Sequence, residues 1–389
     1  MIQNTNWNFP TTIWFGNGRI KEILQACHQL GIKKPLFVTD EGLIHLEIVS
    51  TTTALLKSNR IEFNVYSNVQ GNPTRLNVTN GVTLFNENKH DGVIAFGGGS
   101  AMDAAKAIAF MSGQTKSLWD FEDIGTNWEK ANPEGIAPII AIPTTAGTGS
   151  EVGRAAVILD EEHQSKKIIF HPKMLPSIII SDPELTVGLP PNITAWTGID
   201  ALVHAMEAYC APGYHPMADG IAIEAIRMIT ANLPVAYSDG NNIEARGQML
   251  TASSMAAVAF QKGLGSIHSI AHQLGAIYNI HHGLANSILL PYGLKQNALV
   301  IEEKMSHLST ILEFDDKGTE AIIDFILALR KQLKIPNSLK EAGISDERAQ
   351  EIGEKAFHDP STPTNAKPVN AQDLQNLFTA AVNGDLDSL

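Results

Sequence analysis

The chain has 389 residues, which is more than one hydrophobic core usually holds. Its composition, 44% hydrophobic and 18% charged, excludes a disordered protein. Its formal net charge of −13 and the lack of a long apolar run exclude nucleic acid and membrane as expected partners. Its two cysteines, Cys27 and Cys210, cannot build a disulfide framework, and the N-terminus has no secretion signal, so we expect a cytoplasmic protein.

The first half of the chain alternates short apolar runs with segments of helical period. We predict helices at 19–30 and 48–58, and strands at 36–39, 63–66, 92–96, 136–142, 156–159 and 178–181. Such alternation is typical of βαβ units and a mostly parallel sheet. The second half has helical period almost throughout, and Gly188, Pro190 and Pro191 interrupt the chain between the halves. The sequence therefore predicts an α/β domain at 1–187 and an all-helical domain at 188–389.

Three consecutive glycines follow the predicted strand 92–96. The glycines at 97–99 precede Ser100 and a predicted helix at 101–110, so a tight turn would present the helix N-terminus to a ligand. That arrangement suits the pyrophosphate of a dinucleotide. Ser100 and Asp103 also match a capping box, which would make the segment an ordinary helix start. The residues alone leave both interpretations open.

Polar side chains also follow two other predicted strands. Asp40 comes directly after 36–39, where a carboxylate could accept a hydrogen bond from a ribose 2′-hydroxyl and repel a 2′-phosphate. The alternative is that Asp40 caps the next helix. Thr144, Thr145 and Thr148 supply short hydrogen-bond donors in a glycine-rich loop. These residues are candidates for contacts with the cofactor.

Potential metal ligands form two clusters in the second half. Asp200 and His204 are four residues apart in an apolar segment of helical period, which places them on one face of a helix. His268 and His272 repeat that spacing, and His282 begins a further segment. One carboxylate with two or three imidazoles suits a divalent transition metal, and an open position would suit catalysis. The alternative is a set of solvated or hydrogen-bonded core residues.

Several motifs resemble the signature segments of the iron-containing (group III) alcohol dehydrogenase family. They are GIDALVHAMEAY, GLGSIHSIAHQLGAIYNIHHG, the GGGS of IAFGGGSAMDAAKAIA, IPTTAGTGSEV and SDPELTVGLPP, and the resemblance covers nearly the whole chain. It implies a dinucleotide-binding α/β domain and an all-α metal domain, an architecture shared with dehydroquinate-synthase-like proteins. The implied metal ligands are Asp200, His204, His268 and His282, and His272 corresponds to a non-ligand active-site histidine. The predicted cofactor-binding residues are Asp40, Asn72, Gly97, Gly98, Gly99, Ser100, Asp103, Thr144, Thr145, Thr148, Lys166 and Leu185.

The resemblance also implies an activity. It is hydride transfer between NAD and a primary alcohol or aldehyde at Fe²⁺ or Zn²⁺ in an interdomain cleft, by a homodimer or larger homo-oligomer. Many relatives carry larger residues where this chain has Gly153 and Ala155, which predicts room for a medium-sized substrate. Arg154 and Lys262 could anchor the carboxylate of a hydroxy acid or semialdehyde.

Three other classes of protein fit these residues less well. A non-redox lyase of dehydroquinate-synthase type would surround its metal with several basic residues, whereas the ligand segments here contain little beyond Lys262. A metal-independent reductase of maleylacetate type would lack the acidic and histidine ligands. A non-catalytic binding protein would not need both sets of residues.

Two further histidines and a proline-rich segment near the C-terminus lie outside these motifs. We expect His281 to be exposed rather than a ligand, and His215 to lie in a loop or to cap a helix. Three prolines at 359–368 predict a loop, followed by a capped helix from residue 371.

Overall fold

The computed structural model describes residues 11–389. Contacts divide the chain into two compact units, one ending at Leu189 and the other running from Pro190 to Leu389. The first unit is α/β and the second is helical, so the predicted fold class is confirmed. The domain boundary between 187 and 188 stays a prediction.

Between residues 11 and 189, the α/β unit contains eight strands and four α-helices. The strands are β1 (Thr12–Phe15), β2 (Pro35–Asp40), β3 (Asn64–Val69), β4 (Gly92–Gly97), β5 (Ile139–Pro143), β6 (Ala155–Asp160), β7 (Ser165–Phe170) and β8 (Ile178–Ser181). The helices are α1 (Ile23–Gln29), α2 (Glu47–Ser58), α3 (Arg75–Glu87) and α4 (Gly99–Met111). Six strands form a parallel sheet in the order β1-β8-β5-β4-β2-β3. Strands β4, β5 and β8 are buried along their whole length, because their side chains are apolar on both faces.

The strand order places two predicted motifs side by side. From β2 the chain moves to β3 on one side, and it then returns to β4 on the other side of β2. Ligands of open α/β sheets bind at such a switch point, outside the carboxyl ends of the strands. Asp40 ends β2, and the glycines at 97–99 end β4 and begin α4. Residues far apart in the sequence therefore meet at one edge of the sheet.

Some predicted elements differ from those observed. The strand predicted at 156–159 is β6, which pairs with β7 in a separate antiparallel hairpin rather than joining the parallel sheet. Strands β1 and β7 were not predicted, because β1 is short and largely exposed and β7 begins with polar residues. The helix predicted at 19–30 divides into a 3-10 turn, Arg19–Glu22, and α1.

The helical unit contains eight α-helices. They are α5 (Pro191–Cys210), α6 (Pro216–Ser238), α7 (Ile243–Ala259), α8 (Ser266–Tyr278), α9 (His282–Ile311), α10 (Thr319–Gln332), α11 (Ala349–Phe357) and α12 (Ala371–Asn383). Residues typical of helix N-termini mark the start of several helices. Proline occupies the first turn of α5, and Asn370 caps α12, the helix that was predicted to be capped. Helix α5 is buried on nearly every side and packs against α6, α7 and α9. Among residues 11–389 no helix is long and apolar enough to cross a membrane.

Candidate metal centre and cofactor loops

The glycine turn after β4 is packed too closely for side chains. Gly97 has a φ of 146°, and a Cβ at Gly99 would lie 2.6 Å from Cγ2 of Thr148. A Cβ at Gly98 would lie 3.2 Å from the side chain of Thr145. The first backbone N–H groups of α4 have no acceptor within the helix, and its dipole is positive at this end. The turn can therefore receive a phosphate group closely.

Ser100 ties this turn to the loop after β3. Its hydroxyl donates to the carbonyl oxygen of Gly71 at 2.6 Å, beside Asn72. The N-cap residue of α4 is Gly98, so Ser100 and Asp103 do not form the capping box that the sequence left open. The loops after β3 and β4 thus lie together, while direct cofactor contacts of Asn72, Ser100 and Asp103 stay predictions.

Buried polar groups occupy the region around Gly153. Asp103 accepts a hydrogen bond from Ser150 Oγ at 2.5 Å, and Lys106 donates to the carbonyl oxygens of Ser150 and Ala155. Burial lowers the pKa of Lys106, and the neighbouring Asp103 carboxylate acts against this shift. A Cβ at Gly153 would lie 3.5 Å from the Lys106 amino group. The carbonyl oxygen of Ser150 would lie 3.4 Å away, so both neighbours are at ordinary van der Waals distance and leave room for a Cβ there.

Asp40 supports the turn that follows β2 and also lies beside the glycine turn. Its Oδ1 accepts hydrogen bonds from the N–H groups of Gly42 at 2.9 Å and Leu43 at 3.0 Å. The N-cap residue of α2 is Leu46, so the prediction that Asp40 could cap this helix is wrong. Its Oδ2 lies 3.3 Å from the position that a Cβ at Gly97 would take. Burial raises the pKa of the Asp40 carboxyl, and the two backbone hydrogen bonds oppose that shift.

The remaining predicted cofactor residues lie in different surroundings. Thr144 donates its backbone N–H to Gly97, and its buried hydroxyl has no hydrogen-bond partner within residues 11–389. A buried hydroxyl without a partner is unfavourable, so this one suits a contact with a ligand. Leu185 packs in the apolar core of the unit, and Lys166 lies on β7 opposite Leu159. The assignments of Leu185 and Lys166 rest on the resemblance alone.

Four side chains from three helices converge in the helical unit. Asp200 and His204 come from α5, His268 from α8 and His282 from the start of α9, and their candidate ligand atoms lie within 4.8 Å of one another. Asp200 Oδ1 is 3.7 Å from His282 Nε2 and 4.0 Å from His268 Nε2. The first three residues are buried, and His282 is partly exposed. A carboxylate and three imidazoles gathered in this way fit a divalent transition metal.

Glu207 holds His268 in a defined orientation. One of its oxygens lies 2.6 Å from His268 Nδ1, and the other accepts from the N–H of Ile267 at 2.8 Å. His268 therefore carries its proton at Nδ1 and turns the lone pair of Nε2 toward the ligand set. Burial lowers the pKa of His268, but the hydrogen bond to Glu207 and the charges of Glu207, Asp200 and Asp359 together outweigh burial and raise it. Sequence reasoning missed Glu207, although its position three residues after His204 pointed to this face of α5.

His272 lies against the ligand set and has a carboxylate partner of its own. Its ring stacks on that of His282, with centroids 5.4 Å apart, and its Nδ1 lies 2.9 Å from Asp359 Oδ2. Gln273 also donates to Asp359, at 3.2 Å. Burial would raise the pKa of Asp359, but its interactions with His272 and the hydrogen bonds from Ser361 together outweigh burial and keep it below its ordinary value. The predicted loop 359–368 thus supplies a partner that its proline-rich sequence did not indicate.

The two unassigned histidines lie as expected. His281 is exposed, with its ring 5.2 Å from that of Trp196. His215 caps α6 by accepting a hydrogen bond from the N–H of Ala218 at 3.1 Å. The predicted exposure of His281 and the predicted capping role of His215 are confirmed.

The two suggested carboxylate anchors are engaged within the protein. Lys262 is buried, pairs with Asp219 and donates to the carbonyl oxygen of Tyr209. The guanidinium of Arg154 lies 5.4 Å from the centre of the Phe170 ring. The contacts of Lys262 argue against its use as an anchor.

The chain is similar to known proteins over almost its full length. Residues 10–183 match the family model described as iron-containing alcohol dehydrogenase, and residues 194–382 match the C-terminal model of the same family. It is 34% identical to the NAD-dependent methanol dehydrogenase of Bacillus methanolicus, covering 97% of this chain and 100% of that protein. It is 35% identical to the 1,3-propanediol dehydrogenase of Klebsiella pneumoniae, covering 96% and 97%. A crystal structure of 1,3-propanediol oxidoreductase superposes with a TM-score of 0.92 at 34% identity, covering 97% and 100%.

Proposed function

We propose, because this chain belongs to the iron-containing alcohol dehydrogenase family, that it is a metal-dependent, NAD-linked alcohol dehydrogenase. The reaction is hydride transfer between the nicotinamide C4 and the reacting carbon of a primary alcohol or its aldehyde. The observation that carries this proposal is the convergence of Asp200, His204, His268 and His282 beside His272.

We assign the four converging side chains as ligands of one divalent cation. Fe²⁺ and Zn²⁺ both suit a carboxylate with three imidazoles. A cation bound there supplies Lewis acidity toward an alcohol or carbonyl oxygen. The protein's own contribution is burial of Asp200, His204 and His268 and orientation of His268 by Glu207, which keeps the lone pair of Nε2 available.

The α/β unit supplies the cofactor site in this proposal. The glycine turn and the N-terminus of α4 receive the pyrophosphate of NAD, because backbone N–H groups and the helix dipole favour an anion there. Asp40 accepts from the adenosine ribose and disfavours the phosphate of NADP. The buried hydroxyl of Thr144 offers a further donor at the same edge of the sheet.

His272 is the proposed catalytic residue for proton transfer. Nδ1–H of His272 donates a hydrogen bond to Asp359. Nε2 is therefore the atom that can take a proton during alcohol oxidation and return it during reduction. Asp359 keeps the imidazole in that tautomer. The stacking on His282 supports this role, because the ring of His272 then lies beside a proposed metal ligand.

The proposal also covers the substrate class, the oligomeric state and the cellular compartment. We propose a small or medium-sized primary alcohol or diol, a homodimer or larger homo-oligomer and a cytoplasmic protein. The extra room for the substrate at Gly153 and Ala155 stays part of this proposal, since a Cβ at Gly153 would meet its neighbours only at ordinary van der Waals distance. A lyase of dehydroquinate-synthase type is not favoured, since the relatives are dehydrogenases and Lys262 is tied to Asp219.

A reconstitution assay tests the proposal. The protein is stripped with a chelator and reloaded without oxygen with Fe²⁺ or Zn²⁺, and NADH formation is followed over a series of primary alcohols and diols. We expect turnover that requires the cation and prefers NAD to NADP. Equal turnover in stripped and reloaded protein, or none with any alcohol, would contradict the proposal.

A further inference from the structure

Asn286 lies among the predicted metal ligands. It is on α9, one turn after His282, and is fully buried. Its Nδ2 lies 2.6 Å from Asp200 Oδ1, 3.1 Å from His282 Nε2 and 3.2 Å from His268 Nε2. Because a carboxylate can only accept, the amide group that faces Asp200 is NH₂ rather than the carbonyl oxygen. One amide nitrogen therefore contacts three of the four predicted ligand side chains.

The contacts with the two histidines exclude simultaneous coordination. Nδ1–H of His268 donates a hydrogen bond to Glu207, so Nε2 of the neutral ring has a single lone pair and no hydrogen. That lone pair can accept a hydrogen bond from Asn286 or bind a cation, but it cannot do both. The same holds for Nε2 of His282 when it serves as a ligand. Asn286 and a cation therefore compete for the same nitrogen atoms.

The hydrogen bonding of Asn286 is incomplete. Its NH₂ group has two hydrogens for three acceptors, and its own Oδ1 is buried without a hydrogen-bond partner in the described part of the chain. A buried carbonyl without a partner is unfavourable. The amide thus links the predicted ligand side chains, although its own hydrogen-bonding groups are only partly satisfied.

We propose that Asn286 is a positioning residue whose amide occupies the ligand atoms until a divalent cation displaces it. The proposal rests on the metal centre proposed above. Without a cation, the amide stabilises the buried Asp200 carboxylate and keeps His268 and His282 within reach of it. With a cation, it gives up both histidines. Any group that favours the stripped protein over the loaded protein weakens the apparent affinity for the cation.

Replacement of the amide tests this competition. In Asn286→Ala, the stripped protein loses contacts that the Zn²⁺-loaded protein does not use. Its Tm should therefore fall more without Zn²⁺ than with it. By linkage, the affinity for Zn²⁺, measured by competition with a chromophoric chelator, should rise roughly tenfold. Asn286→Ser repeats the measurement with a small polar side chain in case the alanine variant folds poorly.

Asn297→Ala is the matched control. Asn297 lies on the same helix and is buried, but its side chain bonds to Asn365 and Gly293. Its replacement should lower Tm equally with and without Zn²⁺ and leave the affinity unchanged. An affinity for Zn²⁺ that is unchanged or weaker in both Asn286 variants would overturn the proposal, since a partner that merely orients a ligand has that effect.

Co²⁺ separates the failure of this proposal from failure of the metal centre. The wild-type protein should show the visible absorption of Co²⁺ in a site of low symmetry. Absence of Co²⁺ and Zn²⁺ binding by wild type would reject the metal centre and the proposal together. Binding by wild type with no gain in the variants would reject only the role of Asn286.

Discussion

The two units assemble their candidate sites from different parts of the chain. In the α/β unit, the glycine turn and the first turn of α4 present mainly backbone groups, and the nearby side chains belong to loops after neighbouring strands. In the helical unit, the site consists of largely buried side chains from α5, α8 and α9, and hydrogen bonds from His268 to Glu207 and from Asn286 to Asp200 support it. Backbone geometry therefore governs the first site, whereas side-chain chemistry and burial govern the second. A substitution in one site should therefore leave ligand binding at the other site unchanged.

The largest effect is expected where a ligand is removed. His268→Ala should lower the affinity for the cation by more than about 100-fold and abolish turnover, because loss of a ligand exceeds the usual effect of losing its partner. Metal content after dialysis and NADH formation measure the two results. The exposed neighbour His281 is the control, and His281→Ala should retain its metal. Full metal occupancy with normal turnover in His268→Ala would show that His268 is not a ligand.

His272 should affect the reaction without affecting the metal. His272→Ala should lower kcat by about 100-fold, the effect of losing an acid–base group, with metal content unchanged. Steady-state kinetics and metal analysis of the same sample provide the comparison. Loss of the cation in this variant would instead place His272 among the ligands.

Glu207 tests the side-chain support of the metal centre. Glu207→Gln keeps the size of the side chain but replaces the carboxylate that accepts from His268 Nδ1, so the affinity for the cation should fall about tenfold. Competition with a chelator measures this change. Glu224→Gln, at an exposed carboxylate paired with Arg227, should leave the affinity unchanged. Equal affinities in the two variants would mean that Glu207 does not orient the ligand.

Gly97 tests the backbone geometry of the cofactor loop. In Gly97→Ala the new Cβ would lie 2.7 Å from Cβ of Ala101 at a φ of 146°, so we expect a free energy of unfolding lower by about 1–3 kcal/mol. The KM for NAD should rise, and the affinity for the cation should stay the same. Gly71→Ala is the control, since nothing lies within 4 Å of a Cβ there. A change in cation affinity in Gly97→Ala would break the separation of the two sites.

Asp40 should give the smallest effect, on cofactor choice. Asp40→Gly removes a carboxylate that would repel the phosphate of NADP, so the ratio of kcat/KM for NADP to that for NAD should rise several-fold. Initial rates with both cofactors measure the ratio. Glu41→Gln, which removes the adjacent exposed charge, should change it less. An unchanged ratio in Asp40→Gly would limit Asp40 to supporting the turn through Gly42 and Leu43.

Sequence patterns were sufficient where the information is local. The alternation of apolar runs predicted most of the parallel sheet, and the spacing of Asp200 and His204 placed both on one face of α5. Patterns failed where an element lacks a long apolar run, as in β1 and β7. They also failed to assign β6 to its hairpin, because a run of apolar residues does not indicate its pairing partner.

The sequence by itself determined the residue types of the site and the helices and turns that carry them, since periodicity, glycine runs and ligand spacing are properties of neighbouring residues. Only the tertiary structure decided which polar side chains support them. Glu207, Asn286 and Asp359 became recognisable as partners when elements distant in sequence packed together. The physical reason is that a buried polar group must find its partner in three dimensions, and chain spacing does not encode a partner that lies on another element.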